Sequence, residues 1–150
     1  MHERYQHLED KESIKRWYDE WSGYVASENF EAARSLFASD VLGFGTFKDF
    51  VEDLDALEAG QWRSIWPTIS NFRFCTENLR VSVSADRCHA AAMVTWESMG
   101  YYADGNPYER PGRATAILIR SDIRQPWQGI HTHFSLFPKE VQLSFNADAP

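Results

Sequence analysis

The hydrophobic period of this chain changes near Ile69, and that change constrains the fold more than any other feature. Before it, apolar residues recur every three and four positions; after it, they alternate with polar ones. Ile14, Trp17, Tyr18, Trp21, Tyr24 and Val25 share one helical face, with Asp10 or Ser13 read as the cap and residues 1 to 9 as a loose start. Ser27-Glu28-Asn29 breaks the pattern. A second short helix then carries Phe30, Ala33, Leu36 and Phe37 and ends at Asp40. Val41 to Thr46 reads as a short strand weakened by Gly43 and Gly45. Thr46 and Asp49 have capping-box spacing. They predict a third helix with Phe47, Phe50, Val51, Leu54 and Leu57 inward and Asp49, Glu52, Asp53, Asp55 and Glu58 in water. Trp62 and Trp66 follow one helical repeat apart, and Pro67 closes the segment.

Beyond Ile69, Phe72 and Phe74 alternate with polar residues, as do Leu79, Val81 and Val83. His89 to Tyr102, Thr115 to Arg120 and Gln128 to Phe137 read as longer strands. Turns fall at Asp104-Gly105 and Asp122 to Pro126. Helices segregated from a meander of about five strands predict an α+β fold. With 150 residues and no repeat or linker, one domain spans 1–150, its core about 10–138.

Composition excludes several roles. Six Trp, six Tyr and ten Phe bring aromatic content to 15%, too high for a disordered chain. A net charge of −7 offers no basic face for phosphates, so no nucleic-acid partner is expected. No run approaches 18 apolar residues and the first dozen residues are polar, so neither a membrane span nor a signal peptide is expected. Cys75 and Cys88 fit neither a disulfide framework nor a metal motif; they read as reduced core thiols of a cytoplasmic protein.

The last strand carries the strongest polar pattern. Alternation places Gly129, His131, His133 and Ser135 on one face and Ile130, Thr132, Phe134 and Leu136 on the other. Two imidazoles at i and i+2 could share a metal, but only His89 and Glu97 match the face as further ligands, so no metal is assigned. The more apolar face should meet the helices, which sends both histidines outward. Arg113 opens a strand and could draw a carboxylate to a pocket edge.

The helix with Trp17 and Trp21, followed by Phe30-Glu-Ala-Ala-Arg-Ser-Leu-Phe-Ala-Ser-Asp40-Val, resembles the opening of nuclear transport factor 2-like (SnoaL-like, ketosteroid isomerase-like) domains. The ending resembles them too: Gly112-Arg113-Ala-Thr115, a short acidic turn, then Trp127, His131, His133, Ser135 and Pro138. That ending is typical of small bacterial SnoaL-like proteins and of the association domain of calcium/calmodulin-dependent kinase. The resemblance implies a cone-shaped, strongly curved mixed sheet around three N-terminal helices, the cystatin-like roll, and a homodimer formed through the sheet's outer face.

Chemistry carries over less readily, because this fold hosts many functions. Aligned on Leu36-Phe37-Ala38, the isomerase branch's tyrosine falls at Trp21 and its proton-shuttling aspartate at Gly45; neither can do that work. Tyr18 and Asp40 are the nearest substitutes, Asp40 reading as a turn residue. The kinase-like branch's cavity arginines fall at Ala116 and Phe134, leaving Arg113 as the one possible replacement. Asp19, Glu97 and Glu109 are the acids a cyclase could use. The resulting expectation is a dimeric protein, without cofactor or evident catalysis, whose cavity takes a small hydrophobic or carboxylate-bearing molecule. Tyr18, Trp21, Phe44, Trp62, Trp66, Trp96, Arg113, Thr132 and Phe134 are its expected lining. The alternative is an isomerase, cyclase or dehydratase acting on a polyketide- or steroid-like substrate, with Tyr18, Arg113, His131 or His133 in catalysis.

Overall fold

A computed structural model describes residues 2–147; Met1 and residues 148–150 of the expected domain lie outside the described residues. The first helix, α1 (His2–Ser27), buries Ile14, Trp17, Tyr18, Trp21 and Val25 on a single stripe. It starts well before the predicted cap. Asp10 therefore sits inside the helix, 2% exposed, and is not a cap. Glu28 stops the helix by adopting a positive φ of 51°, and the Asn29 N–H bonds back to the Tyr24 carbonyl. Asn29 then caps α2 (Phe30–Arg34) by accepting from the Ala32 N–H at 3.2 Å.

The chain turns to strand earlier than predicted. Leu36 and Phe37 lie beyond α2, and β1 (Phe37–Phe44) takes in Asp40, which is an exposed strand residue and ends no helix. The predicted third helix starts late as well. Phe50, Val51 and Glu52 form β2 (Phe50–Glu52), antiparallel to β1, so Phe47 and Phe50 are 68% and 75% exposed. Asp53 is the real cap: its carboxylate accepts from the Ala56 N–H at 2.7 Å and opens α3 (Leu54–Leu57). Helical winding continues through a π-turn (Glu58–Trp62), a short α-turn (Arg63–Ile65) and a 3₁₀ turn (Trp66–Thr68) that contains Pro67.

The remaining strands are β3 (Ser70–Phe74), β4 (Arg80–Val83), β5 (His89–Tyr101), β6 (Pro107–Glu109), β7 (Gly112–Ile119) and β8 (Gln128–Leu136). They join β1 and β2 in one open mixed sheet of order β2-β1-β8-β7-β5-β3, with β4 and β6 also on β5. The β1–β8 pair is parallel and the others are antiparallel. This is the expected curved mixed sheet around three helical segments.

Register fixes which side chains meet the helices. Along β5, Ala90, Ala92, Val94 and Trp96 are buried, and Met93 and Glu97 face out. On β8, Thr132 and Phe134 are buried while His133 is exposed. On β8 the strict alternation fails near its start. A bulge between Ile117 and Leu118 lets Gly129 and His131 oppose successive β7 residues, so Gly129 turns inward and Ile130 is only half-buried. Gly129 is required there, since a Cβ would stand 2.7 Å from the Phe37 ring.

One charged cluster holds α1 to the far turns. Arg87 donates twice to the Asp10 carboxylate at 2.8 Å, and Arg120 donates to it once at 2.8 Å. Arg120 also lies 3.9 Å from the centre of the Trp127 ring. Burial pushes the Asp10 carboxyl up, but the bonds from both arginines outweigh it and hold it below its ordinary value. Cys75 is buried, whereas Cys88 is half-exposed beside a turn and is not a core thiol. Among the described residues, no helix is long and apolar enough to cross a membrane.

Candidate functional site

One end of the cone collects rings from four distant stretches of chain. Trp21 comes from α1, Trp62 and Trp66 from the π-turn onward, Trp96 from β5 and Phe134 from β8. Trp62 and Trp66 stack at 4.9 Å with 20° between planes, and Trp21 meets Phe134 edge-on at 5.4 Å. Between them lies a residual cavity of about 40 Å³, room for one or two water-sized groups. Its mouth is the irregular segment Gly45–Asp49, with Thr46, Phe47 and Lys48 at the rim.

Polar atoms around this cavity are short of partners. The indole N–H groups of Trp21, Trp62 and Trp96 are buried without a hydrogen-bond acceptor, and so is the Gln61 Oε1 without a donor. Two tryptophans elsewhere differ: Trp17 donates to the Leu36 carbonyl at 3.1 Å and Trp127 to the Ser13 hydroxyl at 2.9 Å. Native interiors leave few such groups unpaired, so four around one cavity mark it as unusual. The π-turn helps to make this end, since Gln61 and Trp62 are consecutive in it and both buried. Gly45 makes room for Gln61, as a Cβ there would approach its carboxamide carbon to 3.3 Å. Gln61 thus fills the space beside the position where the isomerase aspartate aligns.

The half-buried cation of the site is Arg110, between β6 and β7; the other cation, Lys48, is exposed at the rim. Its main chain is pinned twice to Ser98: its N–H donates to the Ser98 carbonyl at 2.8 Å, and its carbonyl accepts from the Ser98 hydroxyl at 2.7 Å. Its guanidinium sits 5.4 Å from the Trp96 ring centre and donates to Thr46 Oγ1 at 3.3 Å. Four described arginines are half-buried. Arg34, Arg87 and Arg120 pair with carboxylates; Arg110 meets only a hydroxyl. Burial lowers its pKa, though a guanidinium stays charged.

Several expected site residues lie elsewhere. Tyr18 and Thr132 are fully buried and do not line the cavity. The Tyr18 hydroxyl donates to the Ala92 carbonyl at 3.3 Å, and burial raises its pKa above the ordinary tyrosine value, so it serves packing. Phe44 packs on Phe50 and His133 at 5.0 and 5.2 Å, on the outer face. Arg113 is also outside, exposed, with Nε donating to the Ser135 hydroxyl at 3.2 Å, because strand alternation in β7 turns it away from the helices. The half-buried charge at the pocket edge belongs to Arg110, three residues earlier, with the exposed Lys48 beside the mouth. His131 is half-buried on the outer face, Nδ1 3.0 Å from the Leu42 carbonyl, and is held as a sheet hydrogen-bonding group. Among the described residues no three His, Cys, Asp or Glu side chains cluster as metal ligands. Asp19 accepts from Thr76 and Lys15, Glu97 pairs with Arg73, and Glu109 is exposed, so none of the three acids lines the cavity.

A family model described as a SnoaL-like domain matches residues 14–140. No curated protein shows significant similarity to the sequence. Solved structures share the fold at low identity. A nuclear transport factor 2 superfamily protein from Salmonella enterica serovar Typhimurium superposes with TM-score 0.74 at 13% identity, covering 93% of this chain and 99% of that one. An NTF2-like protein with a cystatin-like fold from Novosphingobium aromaticivorans gives 0.69 at 17%, covering 91% and 88%. A ketosteroid isomerase-like protein from Erwinia carotovora atroseptica gives 0.62 at 15%, covering 79% and 88%.

Proposed function

This chain belongs to the SnoaL-like domain family, and from that premise we propose that it is a small-molecule-binding module whose ligand enters the aromatic end of the cone. The observation that carries the reading is the lining. Seven aromatic side chains line the cavity, and among the described residues no carboxylate or imidazole does. Such a site holds a flat ligand while lacking the groups that isomerisation or dehydration by general acid–base catalysis uses. A cavity of ~150 Å³ holds benzene, so the 40 Å³ here must widen for a ring. Withdrawal of the exposed Phe47 and Lys48 from the mouth supplies that space.

Titration with benzyl alcohol, a neutral flat probe, followed by tryptophan fluorescence tests the reading. A saturable change is expected. It should vanish in Gly45→Leu, whose side chain would crowd Gln61 in the cavity. An unsaturable response, or one unchanged by that substitution, refutes the binding role.

The binding module also pairs through its outer sheet face. Phe50, Phe44, His133, Thr115 and Met93 stand opposite one another on five strands and form one transverse row. Phe50 and Met93, at the two ends of the row, are 75% and 56% exposed and offer apolar contacts to a second copy. Light scattering at micromolar concentration should give twice 17.4 kDa and revert to one copy in Met93→Lys; a wild-type monomer refutes the dimer.

A further inference from the structure

We infer that the ligand of this cavity carries a carboxylate and that Arg110 is its anchor; the inference rests on the binding role proposed above. The site is rich in donors and poor in acceptors. Three indole N–H groups and the Arg110 guanidinium face a shortage that Gln61 Oε1 alone cannot meet. A carboxylate brings two oxygens with about four acceptor sites and no donor, the complement of that inventory.

Charge points the same way. A half-buried cation is costly unless paired, and the other three half-buried arginines obey that rule. Arg110 departs from it at the rim of the cavity. Its bond to the Thr46 hydroxyl, at 3.3 Å, is long beside the ~2.7–2.9 Å of a charge-assisted pair, so a carboxylate displaces it favourably. That exchange also frees Thr46 at the mouth. The entry of the ligand and the release of the rim are then one event. The main chain of Arg110, fixed to Ser98 on both sides, stays in place while its guanidinium changes partner.

The test compares benzoate with benzyl alcohol on the full chain, reading the ¹⁵N–¹H indole signals of labelled tryptophan. Benzoate is expected to bind at least about tenfold more tightly. It should move the Trp21, Trp62 and Trp96 signals and leave those of Trp17 and Trp127, which already have acceptors. Arg110→Gln should weaken benzoate about tenfold and leave benzyl alcohol within about twofold. Arg113→Gln, on the outer face, should change neither. Thr46→Val removes only the competing hydroxyl and should tighten benzoate; it tests the same exchange should Arg110→Gln fail to fold. Equal or weaker binding of benzoate than of benzyl alcohol overturns the carboxylate inference and leaves the cavity reading standing. If neither probe moves the three signals at millimolar concentration, both fall.

Discussion

Replacing Asp10 with Asn should destabilise this protein more than most single substitutions. The carboxylate is 2% exposed and takes three charge-assisted hydrogen bonds of 2.8 Å, two from Arg87 and one from Arg120. The side chains of Arg120 and Arg87 are themselves only 4% and 16% exposed. Asn keeps the shape but turns an N–H₂ toward guanidinium donors; it leaves the Arg120 charge uncompensated and Arg87 with only the exposed Glu9 at 3.6 Å. Breaking a buried pair by removing one partner costs about 3–5 kcal/mol. For a chain of this size that is a fall of roughly 6–20 °C in Tm. The sign of the pH dependence follows from the lowered pKa of Asp10. The unfolded carboxyl titrates near 3.8, the folded one below it. The stabilisation is therefore complete above that unfolded value and is lost as pH falls through the folded one. Urea unfolding of both proteins from pH 3 to 8 should show a constant gap at neutral pH that closes on the acid side. A gap below about 1 kcal/mol at pH 7, or one that grows in acid, would refute the reasoning.

Gly112→Ala should cost at least about 2 kcal/mol in urea unfolding, because its Cβ would overlap both the Ser135 carbonyl oxygen and the Trp96 ring. Arg113→Ala, which loses only an exposed bond to Ser135, should stay within about 0.5 kcal/mol of wild type in the same assay. Iodoacetamide under native conditions should alkylate Cys88 and spare Cys75, 8% exposed, as read by peptide mass spectrometry.

Much of the architecture was legible in residue spacing, and the exceptions share a cause. The stripe from Ile14 to Val25 is helical and buried as its period dictates, and Trp62 and Trp66 stack as their spacing suggests. The segment Phe47–Val51 has helical spacing too, yet Phe50–Glu52 is strand, because β1 offers an edge that only tertiary structure creates. Asp10 looks like a cap from its neighbours; its partners lie 77 and 110 residues away. Parity along β8 holds from His131 onward and fails before it, since a bulge leaves no mark in alternation. The arginine at the cavity is Arg110 rather than Arg113 for a related reason. A strand position obeys period two, whereas a residue in the connection before it is aimed by the bonds of Ser98. Gln61 had no signal at all: nothing local announces a π-turn.

The parallel pairing of β1 with β8 also governs when this molecule can become itself. Leu42 and His131 lie 89 residues apart, so the seam between these strands forms only after nearly all the described chain has left the ribosome. Until then the tryptophan stripe of α1 has no Phe134 to meet, and β1 is an open edge beside it. Folding dominated by contacts of such range is slow. The nascent chain spends that interval with part of its aromatic stripe uncovered, since Phe37 and Phe74 can reach it before Phe134 does, which makes synthesis a stage exposed to aggregation.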